Sequence, residues 1–256
     1  MFPARISIVT YNIWSDFRWA FREKTLLRFL EVFDPDVLCL QELHPLSRAA
    51  IDATLTGHRR VEDDFPGWIE QSNIYWRDTL FSEIEHGAED VGIRYQGNRR
   101  LFWVRLQVKA LARSVLVATA HLTHQRHPDE CATGQSPRVA ETKRIIEHLK
   151  RLNRDGEPLF FMGDLNDPVH PPGLLHEAGY VSCFAALGIQ CPPTFKCYPT
   201  ADVAPGAPTM TQCVDWIAAN REARAIAASV PHFFLNDAAP SDHWPVQAIY
   251  ELKDYS

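Results

Sequence analysis

The chain has 256 residues, 46% hydrophobic and 23% charged, with no low-complexity tract, so it is globular and large enough to bury a core without staples. A formal charge of −6 excludes a surface that is basic overall. Contact with nucleic acid must then be local, whereas a small anionic substrate held through a cation needs no basic face. None of the six cysteines falls in a Cys-x-x-Cys pair, which argues against a zinc ribbon. Four of them, Cys183, Cys191, Cys197 and Cys213, cluster where one or two disulfides are conceivable, but reduced thiols in a cytoplasmic protein are the expectation. Met1-Phe2-Pro3-Ala4-Arg5 has no apolar signal core and no apolar run approaches a membrane span. Neither a membrane nor an obligate protein partner is expected.

Ile6 to Asn12 alternates and is rich in β-branched residues, which predicts a strand ending at Asn12. Leu26, Leu27, Leu30 and Phe33 recur at helical spacing over 20–33, and Asp34-Pro35 stops that helix. Asp36 to Glu42 reads as a second buried strand, and Pro45 opens a short helix to about Thr56. Between 57 and 113 the pattern turns to short antiparallel strands and hairpins: Trp68-Ile69, Ser72 to Trp76, Phe81 to Gly87 and Leu101 to Val108. Val115 to Leu122 is a core strand ending at His121, followed by a polar loop over 124–135. Ser136-Pro137 starts a helix to about Asn153, with Val139, Ile145, Ile146, Leu149 and Leu152 inward.

Pro158 to Pro168 runs four apolar residues into Gly163-Asp164-Leu165-Asn166-Asp167, a buried strand that delivers Asp164 and Asn166 at its carboxyl edge. A short helix is expected over 169–180 and a proline-rich loop over 190–213, a length that is usually functional. Val214 to Ala218 resumes a strand, and Ser241-Asp242-His243 precedes the last one, Trp244 to Leu252. No repeat or linker interrupts the pattern, so one domain over 1–256 and an α/β fold are expected.

The strand ends carry Asn12, Glu42, His121, Asp164 with Asn166, Asp215, and Asp242 with His243. Buried carboxylates are costly unless paired or metal-bound, so several at one sheet edge are hard to explain as turn residues. Ligand edges in open α/β sheets lie at the carboxyl ends of strands. Oxygen-rich ligands without cysteine suit Mg²⁺ or Mn²⁺, and two histidines beside them supply acid and base for hydrolysis of a phosphate ester. The first strand is followed by no glycine fingerprint, which argues against a dinucleotide enzyme.

Thr10-Tyr11-Asn12-Ile13-Trp14, Leu40-Gln41-Glu42, Thr119-Ala120-His121-Leu122, Gly163-Asp164-Leu165-Asn166, Asp215-Trp216-Ile217 and Ser241-Asp242-His243 together resemble the ordered motifs of the endonuclease/exonuclease/phosphatase superfamily. The resemblance covers nearly the whole chain. It implies a deoxyribonuclease-like, four-layered α/β sandwich of two packed mixed sheets flanked by helices. It also implies residue roles. Glu42, with Asn12 beside it and Asp242 in support, holds the Mg²⁺. His243 contacts the scissile phosphate and Asp215 fixes its tautomer. Asp164 orients the attacking water, while Asn166 and His121 donate to phosphate oxygens.

Some family nucleases place an arginine shortly before the acid at the Asp215 position, where this chain has Gln212-Cys213-Val214. Arg99, Arg100 and Arg138 are candidates for holding phosphates, and Trp14, Trp68 and Phe195 for stacking on bases. The expected function is metal-assisted hydrolysis of a phosphodiester, with DNA or RNA as substrate. A small-molecule or lipid head-group phosphate ester is the alternative. A scaffold without catalysis would lack a catalytic residue, and none is missing.

Overall fold

The computed structural model describes residues 4–94, 97–195 and 212–252. In chain order it begins with β1 (Arg5–Asn12), α1 (Trp19–Phe33), β2 (Val37–Gln41), α2 (Pro45–Thr54), β3 (His58–Arg60), α3 (Gly67–Glu70) and β4 (Ser72–Arg77). The antiparallel middle follows as β5 (Phe81–Glu89), β6 (Leu101–Val108) and β7 (Arg113–His121), then α4 (Pro128–Thr133), α5 (Pro137–Leu152) and β8 (Leu159–Asp164). The chain continues through α6 (His170–Glu177), β9 (Val181–Ser182), α7 (Cys183–Ala186), β10 (Asp215–Ala219), β11 (Ala223–Ser229) and β12 (Val246–Leu252).

The strands form two six-stranded mixed sheets, ordered β11-β12-β1-β2-β4-β3 and β5-β6-β7-β8-β10-β9. Each contains one parallel pair, β1 with β2 and β7 with β8, and the remaining pairs are antiparallel. Side chains alternate along a strand, so each strand feeds two layers. Ile8, Cys39, Val104, Val117, Phe160, Met162 and Ile217 meet in the core between the sheets. Their neighbours point outward. Val9, Tyr11, Leu38 and Leu40 pack on Leu26, Phe29 and Leu30 of α1 and Ile51 of α2. Leu116, Ala118 and Phe161 pack on Ile145 and Leu149 of α5 and Leu175 of α6. The result is the helix–sheet–sheet–helix sandwich expected from the sequence.

The same parity places the polar strand ends. Thr10 and Asn12 continue the inward series of Ile8, Thr119 and His121 that of Val117, and Asp164 that of Met162. Gly163 is required where it stands: its φ is +146°, and a Cβ would lie 2.0 Å from the carbonyl oxygen of Ala120. That close approach brings the His121 and Asp164 ends of β7 and β8 side by side in register.

Several expectations are corrected. Trp68-Ile69 lies on helix α3 and not a strand, because Trp68 caps the inter-sheet core against Phe102. The loop over 124–135 contains α4, started by His127, whose ring accepts the Asp129 amide, and Pro128. On α5 the buried face runs Arg138, Glu141, Thr142, Ile145 and Leu149, and Val139 is only half-buried. Cys191 and Cys213 are not reduced thiols but a disulfide: backbone bonds between Thr194, Phe195 and Gln212 bring their Cα atoms to 6.4 Å. Cys39, Cys131 and Cys183 are free, and Cys197 and most of the 190–213 loop lie outside the described residues. No helix among the described residues is long and apolar enough to cross a membrane.

Candidate active site

β1, β7 and β8 deliver Asn12, His121 and Asp164 at their carboxyl ends, and β10, antiparallel to β8, begins there with Asp215. The 241–243 segment enters β12 at the same edge, because β12 runs antiparallel to β1. The two sheets touch here through side chains. Asn12 Nδ2 donates to Asp164 Oδ2 at 2.9 Å and lies 3.3 Å from Glu42 Oε1. His121 Nε2 stands 3.3 Å from Asp164 Oδ2 and 3.9 Å from Glu42 Oε1. Behind them Gln41 Nε2 donates to Thr119 Oγ1 at 3.0 Å, a further buried polar tie between the sheets.

His243 Nδ1 meets Asp215 Oδ2 at 2.8 Å, and its Nε2 is 3.8 Å from Asp164 Oδ2. Asp215 is held from the other side by the Thr194 hydroxyl, which accepts the Val214 and Asp215 amides. The Phe195 ring packs on His243 at 4.6 Å between centroids, so adjacent residues Thr194 and Phe195 brace both members of the pair. Ser241 Oγ donates to the Asn12 carbonyl at 2.7 Å and accepts the His243 amide, tying the last motif to the first. Asn166, in left-handed conformation at φ +50°, donates its amide N–H to Asp164 Oδ1 and its side chain to the Leu122 carbonyl.

The environment splits the titration of these groups. Burial raises the Asp164 carboxyl to about 7, and Asp215 adds to the rise. Burial alone would lower His243, but Asp215 and Asp164 more than reverse it and hold the ring protonated. Burial lowers His121, with Arg99 and His243 adding to the fall, so this ring stays neutral. A cleft of about 350 Å³ opens over the group, with Trp14, Glu42, Arg99, His124, Asp242 and Phe195 in its walls.

A divalent cation fits the donor set. Glu42 sits in the left-handed region at φ +55°, its side chain 27% exposed to the cleft, with Asp164 and Asp242 beside it. Among the described residues one amide nitrogen and one neutral imidazole lie between the Glu42 and Asp164 carboxylates, which is little compensation for the buried Asp164. Asn12 is a partial exception, since it presents nitrogen to both acids while its oxygen accepts the Trp14 amide. A ligand role for Asn12 needs that amide turned over. Asp164, Asp215 and His243 also lie close enough to share an ion, but the hydrogen bond from His243 to Asp215 occupies that space.

All eight residues singled out in the sequence therefore converge. The accessory candidates divide. Trp14, Phe195 and Arg99 line the cleft, with Arg99 Nη2 4.0 Å from Glu42 Oε1. Arg138 is buried in bonds to the Thr123 and His124 carbonyls and to Glu130, so it holds no phosphate. Arg100 lies over the Phe65 ring, and Trp68 is core. Thr194 and Arg22 were not anticipated. Arg22 could have been found: it shares a helical stripe with Leu26, Phe29 and Leu30, and a charge on an apolar stripe is a signal.

The model of the Endonuclease/Exonuclease/phosphatase family matches residues 9–243. Among solved structures, D. rerio TDP2 in complex with a single-strand DNA product superposes with a TM-score of 0.79 at 18% identity, covering 97% of this chain and 99% of that one. An endonuclease/exonuclease/phosphatase family protein of Bacteroides thetaiotaomicron gives 0.77 at 18% identity with both chains covered in full. A mannosyl-6-phosphatase of the same organism gives 0.75 at 18% identity, covering 97% and 100%. No curated protein matches the chain. The family match takes in all six motifs and most of the sequence, so the chain belongs to the endonuclease/exonuclease/phosphatase family of divalent-metal-dependent phosphoric ester hydrolases.

Proposed function

We propose that the chain is a Mg²⁺-dependent (or Mn²⁺-dependent) phosphodiesterase that cleaves nucleic acid by attack of water on the scissile phosphorus. The observation that carries this reading is the convergence of Asn12, Glu42, Asp164 and the His243–Asp215 pair on one cleft, from segments up to 231 residues apart (243 minus 12). Glu42 and Asp242, with Asn12 once its amide is turned, would hold the cation, which supplies neutralisation of phosphate charge and polarisation of the ester.

The chain's own residues account for the rest. Asp164, held near neutrality by burial, is poised to accept a proton from water at physiological pH. Protonated His243, its Nδ1 engaged by Asp215, turns Nε2 toward the substrate and stabilises charge growing on phosphate oxygens. Asn166 spends one amide N–H on the Leu122 carbonyl and keeps a second for a phosphate oxygen. Neutral His121 and Arg99 are further donors at the cleft wall. Trp14 and Phe195 offer faces on which bases stack.

A second reading, a phosphatase for a small phosphate ester, is favoured by one observation: the net charge of −6 leaves the cleft to select a compact anion locally. One panel separates the two. Purified protein with Mg²⁺, Mn²⁺ or EDTA is offered single- and double-stranded DNA, abasic DNA, RNA, and small phosphate mono- and diesters. Cleavage of nucleic acid that EDTA abolishes is the expected result. Turnover of small esters alone establishes the second reading, and no turnover of any of them removes both.

A further inference from the structure

Arg22 is 1% exposed, yet none of the site roles above uses it. Its guanidinium donates to five backbone carbonyls: Nε to Phe17 at 2.6 Å, Nη1 to Ile13 at 2.5 Å and Pro240 at 2.9 Å, Nη2 to Trp14 at 2.8 Å and Ser15 at 2.6 Å. An arginine has five N–H donors, and here each has an acceptor. Burial lowers it to about 10, with Tyr11, Asp242 and Glu42 opposing the fall, so it remains charged at neutral pH.

The carbonyls belong to the two segments that frame the cation side of the cleft. Residues 13–17 follow Asn12, and the Trp14 amide bonds the Asn12 side chain. Pro240 precedes Ser241, which bonds the Asn12 carbonyl, and Asp242, which faces the cleft. The first segment is strained: Trp14 and Ser15 have φ of 60° and 48°. Non-glycine residues in the left-handed region cost on the order of 1–3 kcal/mol each and persist only where their surroundings over-determine them. Four of the five guanidinium bonds fall on this segment, and the fifth ties it to the neighbouring one.

We propose that Arg22 is a positioning residue for cation binding, holding the strained Ile13–Phe17 turn and Pro240 in one frame so that Asn12, Glu42 and Asp242 stand ready before the ion arrives. The inference rests on the assignment of the cation to those three residues. Lysine keeps the charge but has three donors for five carbonyls, so it cannot close the frame.

The test is calorimetric titration of the full chain with Mn²⁺. Arg22→Lys, with a native circular dichroism spectrum, is expected to weaken Mn²⁺ binding about 10–100-fold, as loss of a residue supporting metal ligands commonly does. Adding Ser15→Gly should recover at least about threefold, because glycine enters the left-handed region without strain. Should Arg22→Lys fail to fold, amide exchange on the parent decides. Ile13, Trp14 and Phe17 are expected to be protected without cation and to gain little from Mg²⁺. Fast exchange that slows only with Mg²⁺ overturns the proposal, and so does a lysine variant whose loss Ser15→Gly leaves untouched. A parent that binds neither ion removes the cation assignment and this inference together, whereas equal Mn²⁺ affinity in parent and Arg22→Lys removes this inference alone.

Discussion

The two ends of the β7–β8 pair bury charge in opposite ways. At the amino end Arg105 and Glu157, 3% and 4% exposed, meet through Nε to Oε1 at 2.8 Å and Nη2 to Oε2 at 3.3 Å. Ser114 and the Arg154 amide supply further donors to the same carboxylate, and Glu85 and the Leu152 carbonyl complete the guanidinium. At the carboxyl end Asp164 and Asp215 are equally buried, but each acid faces the other as well as a histidine. Asp215 Oδ1 and His121 Nδ1 have no hydrogen-bond partner among the described residues. One strand pair thus carries a matched ion pair at one end and mismatched acids at the other. Where charge serves only the fold it is compensated. Where it faces the cleft it is left short of partners: burial and Asp215 raise Asp164, and the two acids raise His243 against burial.

The comparison breaks first on turnover. Asp164→Asn and His243→Ala should each lower kcat by about 10²-fold or more while keeping a native circular dichroism spectrum. A loss under tenfold for either contradicts the roles proposed for them. Glu157→Gln should do the reverse, costing about 1.5–3 kcal/mol by chemical denaturation because it leaves Glu85 as the one acid, among the described residues, on the buried Arg105, while kcat of the folded fraction holds. A fall in kcat with unchanged stability would erase the distinction between the two ends.

Acidity sharpens the contrast next. The folded Asp164 carboxyl, at about 7, lies above the ordinary 3.8, so the neutral form is the one folding favours. Its contribution to stability is complete below about 3.8 and is lost as pH rises through about 7. In cation-free protein the thermal midpoint of Asp164→Asn should therefore climb relative to the parent between about pH 4 and about pH 8. Parallel curves would show that Asp164 ionises without cost. The smallest effect expected is on Glu42→Gln, which should raise the Mg²⁺ concentration for half-maximal activity about 10-fold or more. An unchanged metal titration removes Glu42 from the cation.

Much of this was legible in the chain itself. Alternation and helical spacing placed β1, β2, β6, β7, α1 and α5 within a few residues, because each buries a face whose period the sequence must carry. The elements missed were those whose burial is set by distant partners. Trp68 looked like a strand residue until Phe102 of another sheet turned it into part of a helical cap. β11, poor in β-branched residues, forms because β12 offers an open edge to pair with. Arg138 reads as a free cation in the sequence, yet the Thr123 and His124 carbonyls claim it.

What the sequence determined unaided is the identity of the polar residues at the strand ends and the parity that turns them inward, since both are local properties of alternating chains. What only the tertiary structure decided is their distance from one another. The 2.9 Å from Asn12 to Asp164 and the 2.8 Å from His243 to Asp215 exist because two sheets pack face to face and the disulfide-linked Thr194–Phe195 and Gln212 segments back the second pair. Those contacts join residues 152 and 28 positions apart, and no periodicity in a chain encodes a separation through space.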